Sequence, residues 1–242
     1  MSVHEHENAQ EEQRCLQAVR DIIKARRDLR RDVGAIIIEP ITSYNNLVAT
    51  PNFYRGLRKI ASENQIPFVV DETRTGVGIT GKMWGHENWY LNQAPDIITF
   101  GGKVGLSGFY TTPTYRPSAH EGVNVDLNSV LLFGNTWRYI QRKNLLNYVN
   151  DTSTFLKIEL DRVNRQNGAA SNIRGQGTFL GFDVPNEWQA AKIQVWLQRQ
   201  GIHLLRCGPT TFGLRPSLLL GPKQASHLRD GLMYYSPLFQ RD

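Results

Sequence analysis

The sequence predicts an α/β fold in which helices cover a mostly parallel sheet, followed by a small C-terminal α+β domain. Short β-branched runs at residues 33–40, 67–71 and 96–100 are typical of buried parallel strands. An amphipathic helical segment lies between the first two runs, which indicates a right-handed parallel crossover. Beyond residue 145 the strand patterns alternate in polarity and are mixed with helices, as in a smaller α+β domain.

The elements of the first part follow from local signals. The first thirty residues place apolar side chains at helical spacing, so their basic residues form one solvated face of an amphipathic helix. Thr50 and Pro51 are typical of an N-cap and a first-turn proline, and they predict a second helix. The run "GFYTT" at residues 108–112 adds a candidate fourth strand.

The second part predicts a long helical region over roughly residues 138–165, which ends at the "QNG" of residues 166–168. Residues 173–184 alternate like a single half-exposed strand. The remaining patterns predict a helix at 188–199, strands within 202–207 and 211–220, and a final helix from about residue 222. The change in character predicts a larger domain over residues 1–145, with a connecting helix and a small domain over residues 146–242.

The composition excludes several classes of function. The chain has 242 residues, a net charge of +6 and two cysteines, too few for a disulfide framework and without metal-ligand spacing. Much of the basic excess lies in residues 20–31 among aspartates, so we expect no nucleic-acid partner. No apolar run is long enough for a membrane span, and the N-terminal residues resemble neither a signal nor a transit peptide. We therefore expect no membrane partner and no metal.

Two carboxylates mark the predicted site. Glu39 and Asp71 each stand where a buried strand ends, and α/β sheets build their sites outside the carboxyl ends of parallel strands. The alternative is that each carboxylate caps a turn or pairs with a nearby base. The pattern alone leaves both readings open.

Seven motifs resemble, in the same order, those of the class-III pyridoxal-phosphate aminotransferases. They are "IIIEPITS", "VVDETRTGVGITGKMWGHE", "PDIITF", "SGFY", "GNTW", "RGQGTFLGFD" and "LRPSLLL". The resemblance runs from about residue 5 to the C-terminus and is strongest to the 4-aminobutyrate branch of the family. It implies that the first part is a partial fold-type-I large domain that binds pyridoxal phosphate.

The resemblance also implies roles for individual residues. Asp71 would face the pyridine nitrogen of the cofactor and keep it protonated, which makes the ring an electron sink. Thr73 would pack on the ring face, and Thr136 would donate to the cofactor phosphate of the neighbouring subunit. Arg215 would bind a substrate carboxylate with its planar fork. Glu39 would lie near the active centre, as a charge next to the substrate site.

The chain departs from the family pattern at three positions. The Schiff-base lysine of the family falls six residues after the aspartate of the Pro-Asp motif; here that position is Gly102, and Lys103 comes one residue later. A one-residue shift would let Lys103 serve as the catalytic lysine, although such a slip on an extended strand reverses the side chain. Arg74 replaces a glutamine next to the cofactor, and Tyr44 replaces a glutamate that pairs with the substrate arginine.

Several hypotheses remain open at this stage. The family's lysine position is Gly102 and the family's N-terminal half has no counterpart in the chain, so we expect a truncated, catalytically inactive pseudoenzyme. The first alternative is an active 4-aminobutyrate:2-oxoglutarate aminotransferase that uses Lys103 on amino-acid and keto-acid substrates, within a dimer or larger assembly in which another chain supplies the missing half. Another is a protein that binds pyridoxal phosphate without catalysis. The expected partner is a second copy or a related full-length aminotransferase chain. The resemblance implies the mitochondrial matrix; the lack of a targeting segment keeps the cytoplasm as an alternative.

Overall fold

The computed structural model describes residues 3–102, 104–118 and 126–235. The chain divides into two compact units whose segments alternate along the sequence. Unit 1 comprises residues 1–40, 49–74 and 86–130, and unit 2 comprises residues 41–48, 75–85 and 131–242. The boundary at residue 145 stays a prediction.

Unit 1 is built around a four-stranded sheet. Its helices are α1 (Val3–Asp28) and α2 (Pro51–Glu63), and its strands are β1 (Ile36–Ile38), β2 (Phe68–Asp71), β3 (Ile97–Phe100) and β4 (Gly108–Thr111). The strands lie in sequence order; β1, β2 and β3 are parallel, and β4 is antiparallel to β3. This is the mostly parallel sheet that the sequence predicts.

Helix α2 begins as predicted, and it anchors the core of unit 1. The Thr50 hydroxyl accepts a hydrogen bond from the Phe53 N–H. Pro51 occupies the first turn, where a backbone N–H would have no acceptor within the helix, so proline's missing N–H costs nothing there. The apolar face of α2 buries Tyr54, which stacks on the fully buried Trp89 with ring centroids 4.0 Å apart. Packing of this face covers the apolar side chains of β2.

Unit 2 holds the second sheet. Helix α3 (Leu127–Arg142) begins with the last residues assigned to unit 1 and continues in unit 2. The following elements are α4 (Leu145–Asn167), β5 (Ser171–Gln176), β6 (Phe179–Asp183), α5 (Glu187–Arg199), β7 (Leu205–Arg206), β8 (Thr211–Leu214) and α6 (Pro222–Met233). The strand order is β5–β6–β8–β7, and all pairs are antiparallel. Helices α4, α5 and α6 bury the apolar side chains of β6 and β8.

Two sequence predictions for unit 2 differ from the structure. The helical region at 138–165 is divided into two helices, because Asn144 adopts a left-handed conformation with φ of 51° between α3 and α4. The single strand at 173–184 is a hairpin of β5 and β6, because Gly177 at the turn has a φ of 56°. None of the helices described is long and apolar enough to cross a membrane.

Candidate cofactor and carboxylate sites

Asp71 ends β2, where its carboxylate is held by neighbouring donors. Its Oδ1 accepts from the Thr73 N–H at 2.9 Å and from the Thr99 hydroxyl at 3.1 Å. Partial burial opposes ionisation, but the hydroxyl and N–H of Thr73, the Thr99 hydroxyl and the charge of Arg74 together hold the Asp71 pKa below its usual value. Asp71 is therefore a carboxylate at neutral pH.

This environment fits a pyridoxal phosphate group. A protonated pyridine nitrogen needs an ionised carboxylate in a fixed orientation, and the low pKa and the Thr73 and Thr99 hydrogen bonds of Asp71 provide one. The carboxylate also lies at the carboxyl edge of parallel strands, where α/β sheets bind ligands. Glu39 lies at the same edge, one residue beyond the Ile38–Val70 pair.

Of the side chains that follow Asp71, two interact with its carboxylate and one binds the loop that follows. Thr73 is half-buried and bonded to Asp71, and Arg74 is exposed and contributes positive charge. Glu72 is buried, and its Oε1 accepts from both the backbone N–H and the ring Nδ1 of His86, each at 2.8 Å. The Glu72–His86 pair joins the two ends of the loop after β2, which is a structural role for His86.

Gly102 follows β3 in a left-handed conformation with a φ of 78°. A Cβ placed on this residue would have no heavy atom of the described residues within 4 Å, its chain neighbours aside, so a Cβ has space there although the backbone conformation favours glycine. Lys103, the predicted catalytic lysine, lies outside the described residues.

Arg215 follows β8 in unit 2, and its guanidinium is held by groups without negative charge. Its Nη2 donates to the Ser43 carbonyl at 2.7 Å and to the Cys207 Sγ at 3.7 Å, and its Cζ lies 4.9 Å from the centroid of the Phe179 ring. Over the described part of the chain, Arg215 has no ion pair, and its buried Nε has no acceptor. A partly buried cation without a counter-charge is suited to an anion.

An open cleft of 610 Å³ adjoins Arg215. Ser43, Tyr44 and Arg206 also line it, and Tyr44 is exposed. The resemblance places a glutamate at the Tyr44 position, so the cleft has an uncharged phenol there, and the carboxylate among its lining residues is Glu187. The Arg206 guanidinium donates to the carbonyls of Gly208 and Pro209 in its own turn. Arg215 is therefore better placed than Arg206 to bind an anion in the cleft.

A polar network holds the segment that carries Ser43. Arg174 donates from its Nε to the Asn45 carbonyl at 2.7 Å, and its two Nη atoms bind Asp183 at 2.9 and 3.0 Å. Thr211 donates to the same carboxylate at 2.6 Å. Burial opposes ionisation of Asp183, but hydrogen bonds from Arg174, Thr211 and Asn172 and the Arg174 charge lower its pKa.

The low pKa of Asp183 predicts an acid-labile contribution to stability. A carboxyl group whose pKa is lower in the folded state stabilises the protein above its usual pKa near 4, and that contribution is lost as the pH falls through the native pKa. Asp183→Asn should therefore reduce the free energy of unfolding at pH 7 more than at pH 3, measured by urea unfolding. Asp161→Asn, at an exposed pair with Arg165, is the matched control. An equal loss at both pH values would contradict the prediction.

Thr136 lies within α3 as a half-buried residue of unit 2. The described structure thus groups Asp71, Thr73, Arg74 and Glu39 in unit 1, whereas Thr136 and Arg215 belong to unit 2. Sequence reasoning missed Thr99 and Ser43. The Asp71–Thr99 pairing follows from the strand register, so an explicit alignment of β2 with β3 would have found Thr99.

Comparison with solved structures shows which fold the chain shares. The fold is similar to a lysine aminotransferase from M. tuberculosis, with a TM-score of 0.84 at 21% identity over 95% of this chain and 55% of that chain. An ornithine aminotransferase from Plasmodium yoelii has a TM-score of 0.78 at 20% identity, covering 90% and 59% of the two chains. These likenesses confirm the predicted fold class, a partial large domain of the fold-type-I aminotransferases.

Sequence comparison identifies the family. The Aminotransferase class-III model matches residues 1–233, so the chain belongs to the class-III aminotransferases, a family of pyridoxal-phosphate enzymes. A 4-aminobutyrate aminotransferase of Dictyostelium discoideum is 36% identical over 96% of this chain and 47% of its own length. The mitochondrial 4-aminobutyrate aminotransferase of Mus musculus is 38% identical, covering 88% and 44%. The chain therefore spans less than half the length of these relatives.

Proposed function

We propose that this chain is a 4-aminobutyrate aminotransferase-like protein that does not complete transamination with its own residues. The observation that carries the proposal is Gly102, which stands six residues after Asp96 at the family's lysine position. Pyridoxal phosphate, when bound, supplies an electron sink for a carbanion on the substrate. Asp71 would keep the pyridine nitrogen protonated, but glycine has no amine to hold the cofactor covalently or to move a proton.

The other residues support a retained binding role. The charge of Arg215 has no carboxylate partner among the residues that the structure describes, so it is available to an amino-acid or keto-acid carboxylate. Thr136 and Arg74 are proposed to contact the cofactor, and Thr73 its ring face. The exposed apolar residues of α3, including Leu131 and Leu132, support assembly with a second copy or with a related full-length aminotransferase.

The alternative is an active enzyme in which Lys103 takes the role of the missing lysine. It is favoured by the position of Lys103 next to Gly102, whose left-handed backbone is of the kind that permits local shifts. A mitochondrial location is also proposed, because the Mus musculus and Homo sapiens relatives are mitochondrial.

Covalent trapping of the cofactor separates the two proposals. The full chain is mixed with pyridoxal phosphate, reduced with borohydride and digested, and the modified lysine is located by mass spectrometry. We expect no adduct at residue 103 in the unsubstituted chain and an adduct at residue 102 in Gly102→Lys. The left-handed backbone costs that variant only about 1 kcal/mol, so it should fold, which circular dichroism checks.

The control is Lys103→Ala, alone and combined with Gly102→Lys. The assay is repeated with an added full-length 4-aminobutyrate aminotransferase whose own catalytic lysine has been replaced, so that no adduct forms at that enzyme's active-site lysine. An adduct on Lys103 of the unsubstituted chain that disappears in Lys103→Ala would establish Lys103 as the lysine that binds the cofactor. It would reject the proposal that the chain is inactive.

A further inference from the structure

A second candidate binding site lies in unit 1, where helix α2 and the segment after Trp89 enclose a cavity of 410 Å³. Three cationic side chains of α2 line it: Arg55, Arg58 and Lys59. Their spacing of three and four residues places them on one face of the helix. No aspartate or glutamate is among the lining residues, so the wall of the cavity is electropositive.

The three cations differ in how far they are neutralised. Arg58 is compensated by Asp96, with N–O distances of 3.0 and 3.2 Å. Among the residues described, Arg55 donates only to neutral oxygens, namely the Trp89 carbonyl at 2.9 Å and the Asn52 side chain. Lys59 lies 3.7 Å from Glu63, but this pair is exposed and weakly coupled. Arg55 and Lys59 therefore carry the net positive charge of the cavity.

The remaining polar groups of the lining add donors. Arg58 has a side chain only 7% exposed, and its buried Nε–H has no acceptor among the residues described. The Ser62 Oγ lies 3.0 Å from both the Gln93 Oε1 and the Arg58 carbonyl oxygen, and the amide N–H groups of Gln93 are further donors. A concave surface with surplus donors and positive charge is suited to a ligand that offers only acceptors.

We propose that this cavity binds the phosphate group of a small phosphomonoester. A phosphate presents several acceptor oxygens and two negative charges, and arginine binds such groups through paired N–H donors. The volume is within the range of small-molecule sites and leaves room for an organic portion beside the phosphate, against Leu91 and Gly56. This site is separate from the proposed function, because none of its lining residues belongs to the candidate cofactor or carboxylate sites.

Titration calorimetry on the full chain at about 0.15 M salt tests the proposal, since this ionic strength screens non-specific attraction. The probes are glucose 6-phosphate, inorganic phosphate and acetate. We expect glucose 6-phosphate to bind most tightly and acetate at least about tenfold more weakly than either phosphate compound. Tighter binding of inorganic phosphate than of glucose 6-phosphate would identify free phosphate as the ligand and overturn the phosphomonoester. Acetate binding as tight as phosphate would overturn the phosphate class altogether.

Two substitutions locate the bound phosphate. Arg55→Gln should weaken glucose 6-phosphate binding about tenfold or more, and Lys59→Gln should weaken it less because that amine is exposed. Lys157→Gln, on the exposed surface of α4 in unit 2, removes the same charge and should leave the affinity within about twofold. Arg58 is retained because its buried pair supports the fold.

The variants also guard against the proposed cofactor site, which would itself accept a phosphate. Binding that survives Arg55→Gln and Lys59→Gln unchanged would place the phosphate elsewhere and reject the inference, whatever the result of the covalent trapping. An equal loss in all three variants, Lys157→Gln included, would show non-specific attraction to a basic protein and would also reject it.

Discussion

Asp96→Ala should lower the free energy of unfolding by about 3–5 kcal/mol, the usual loss when one member of a buried ion pair is removed. Arg58 and Asp96 have side chains that are 7% and 15% exposed. The Asp96 Oδ2 also accepts from the Phe68 N–H at 2.8 Å, so alanine would leave both a buried guanidinium and a buried backbone donor without an acceptor.

Urea unfolding followed by circular dichroism measures this loss. Glu63→Ala is the matched control, because Glu63 pairs with Lys59 on the same helix at a site where both side chains are largely exposed. We expect that control to cost less than about 1 kcal/mol. The double variant Arg58→Met and Asp96→Ala should regain part of the loss, since it removes the stranded charge. A loss no larger than that of Glu63→Ala would refute the structural role of the pair.

Gly177→Ala should destabilise unit 2 by about 3 kcal/mol, through a backbone penalty and a steric clash together. Gly177 has a φ of 56°, and an added Cβ would stand 2.2 Å from the Ile79 carbonyl oxygen and 2.5 Å from the Thr80 carbonyl carbon. Both contacts are with backbone, which cannot rotate away as a side chain would. The Thr178 N–H donates to the Ile79 carbonyl at 3.0 Å, and this hydrogen bond would be lost as the clash pushes the two segments apart.

The comparison variant is Gly201→Ala. Gly201 has a φ of 74°, but an added Cβ there would meet no atom within 4 Å, so only the backbone penalty of about 1 kcal/mol applies. The difference between the two melting transitions isolates the clash. Equal destabilisation of the two variants would mean that the backbone near Gly177 moves at little cost, which would contradict the predicted clash with Ile79 and Thr80.

The elements of unit 1 were predictable because each carries its own local signal. A β-branched run predicts a strand wherever it lies, and Thr50 with Pro51 marks the start of α2 from side-chain chemistry alone. The local signal for a turn is weaker where a residue with positive φ also fits the alternating pattern of a strand. The alternation over residues 173–184 continued through Gly177, and it concealed the turn between β5 and β6.

The candidate sites show the same division. Asp71 was predictable because it ends a strand, whereas the Thr99 hydroxyl that holds it comes from a strand 28 residues away and depends on register. Ser43 binds Arg215 through its main-chain carbonyl, a group that every residue carries and that no side-chain pattern reveals. That a Cβ on Gly102 would have open space likewise follows only from the structure, whereas the glycine six residues after Asp96 is visible in the sequence.

The alternation of segments between the two units has a consequence for the chain as it leaves the ribosome. Residues 41–48 and 75–85 are synthesised early but belong to unit 2, most of which emerges after residue 131. The buried Asn46, for example, donates at 3.1 Å to the carbonyl of Leu180, which is translated 134 residues later. Such segments stay without their final partners until the later part of unit 2 is synthesised, and folding with contacts this distant is slow and exposed to aggregation. A chaperone that shields residues 41–48 during translation should therefore raise the yield of folded protein.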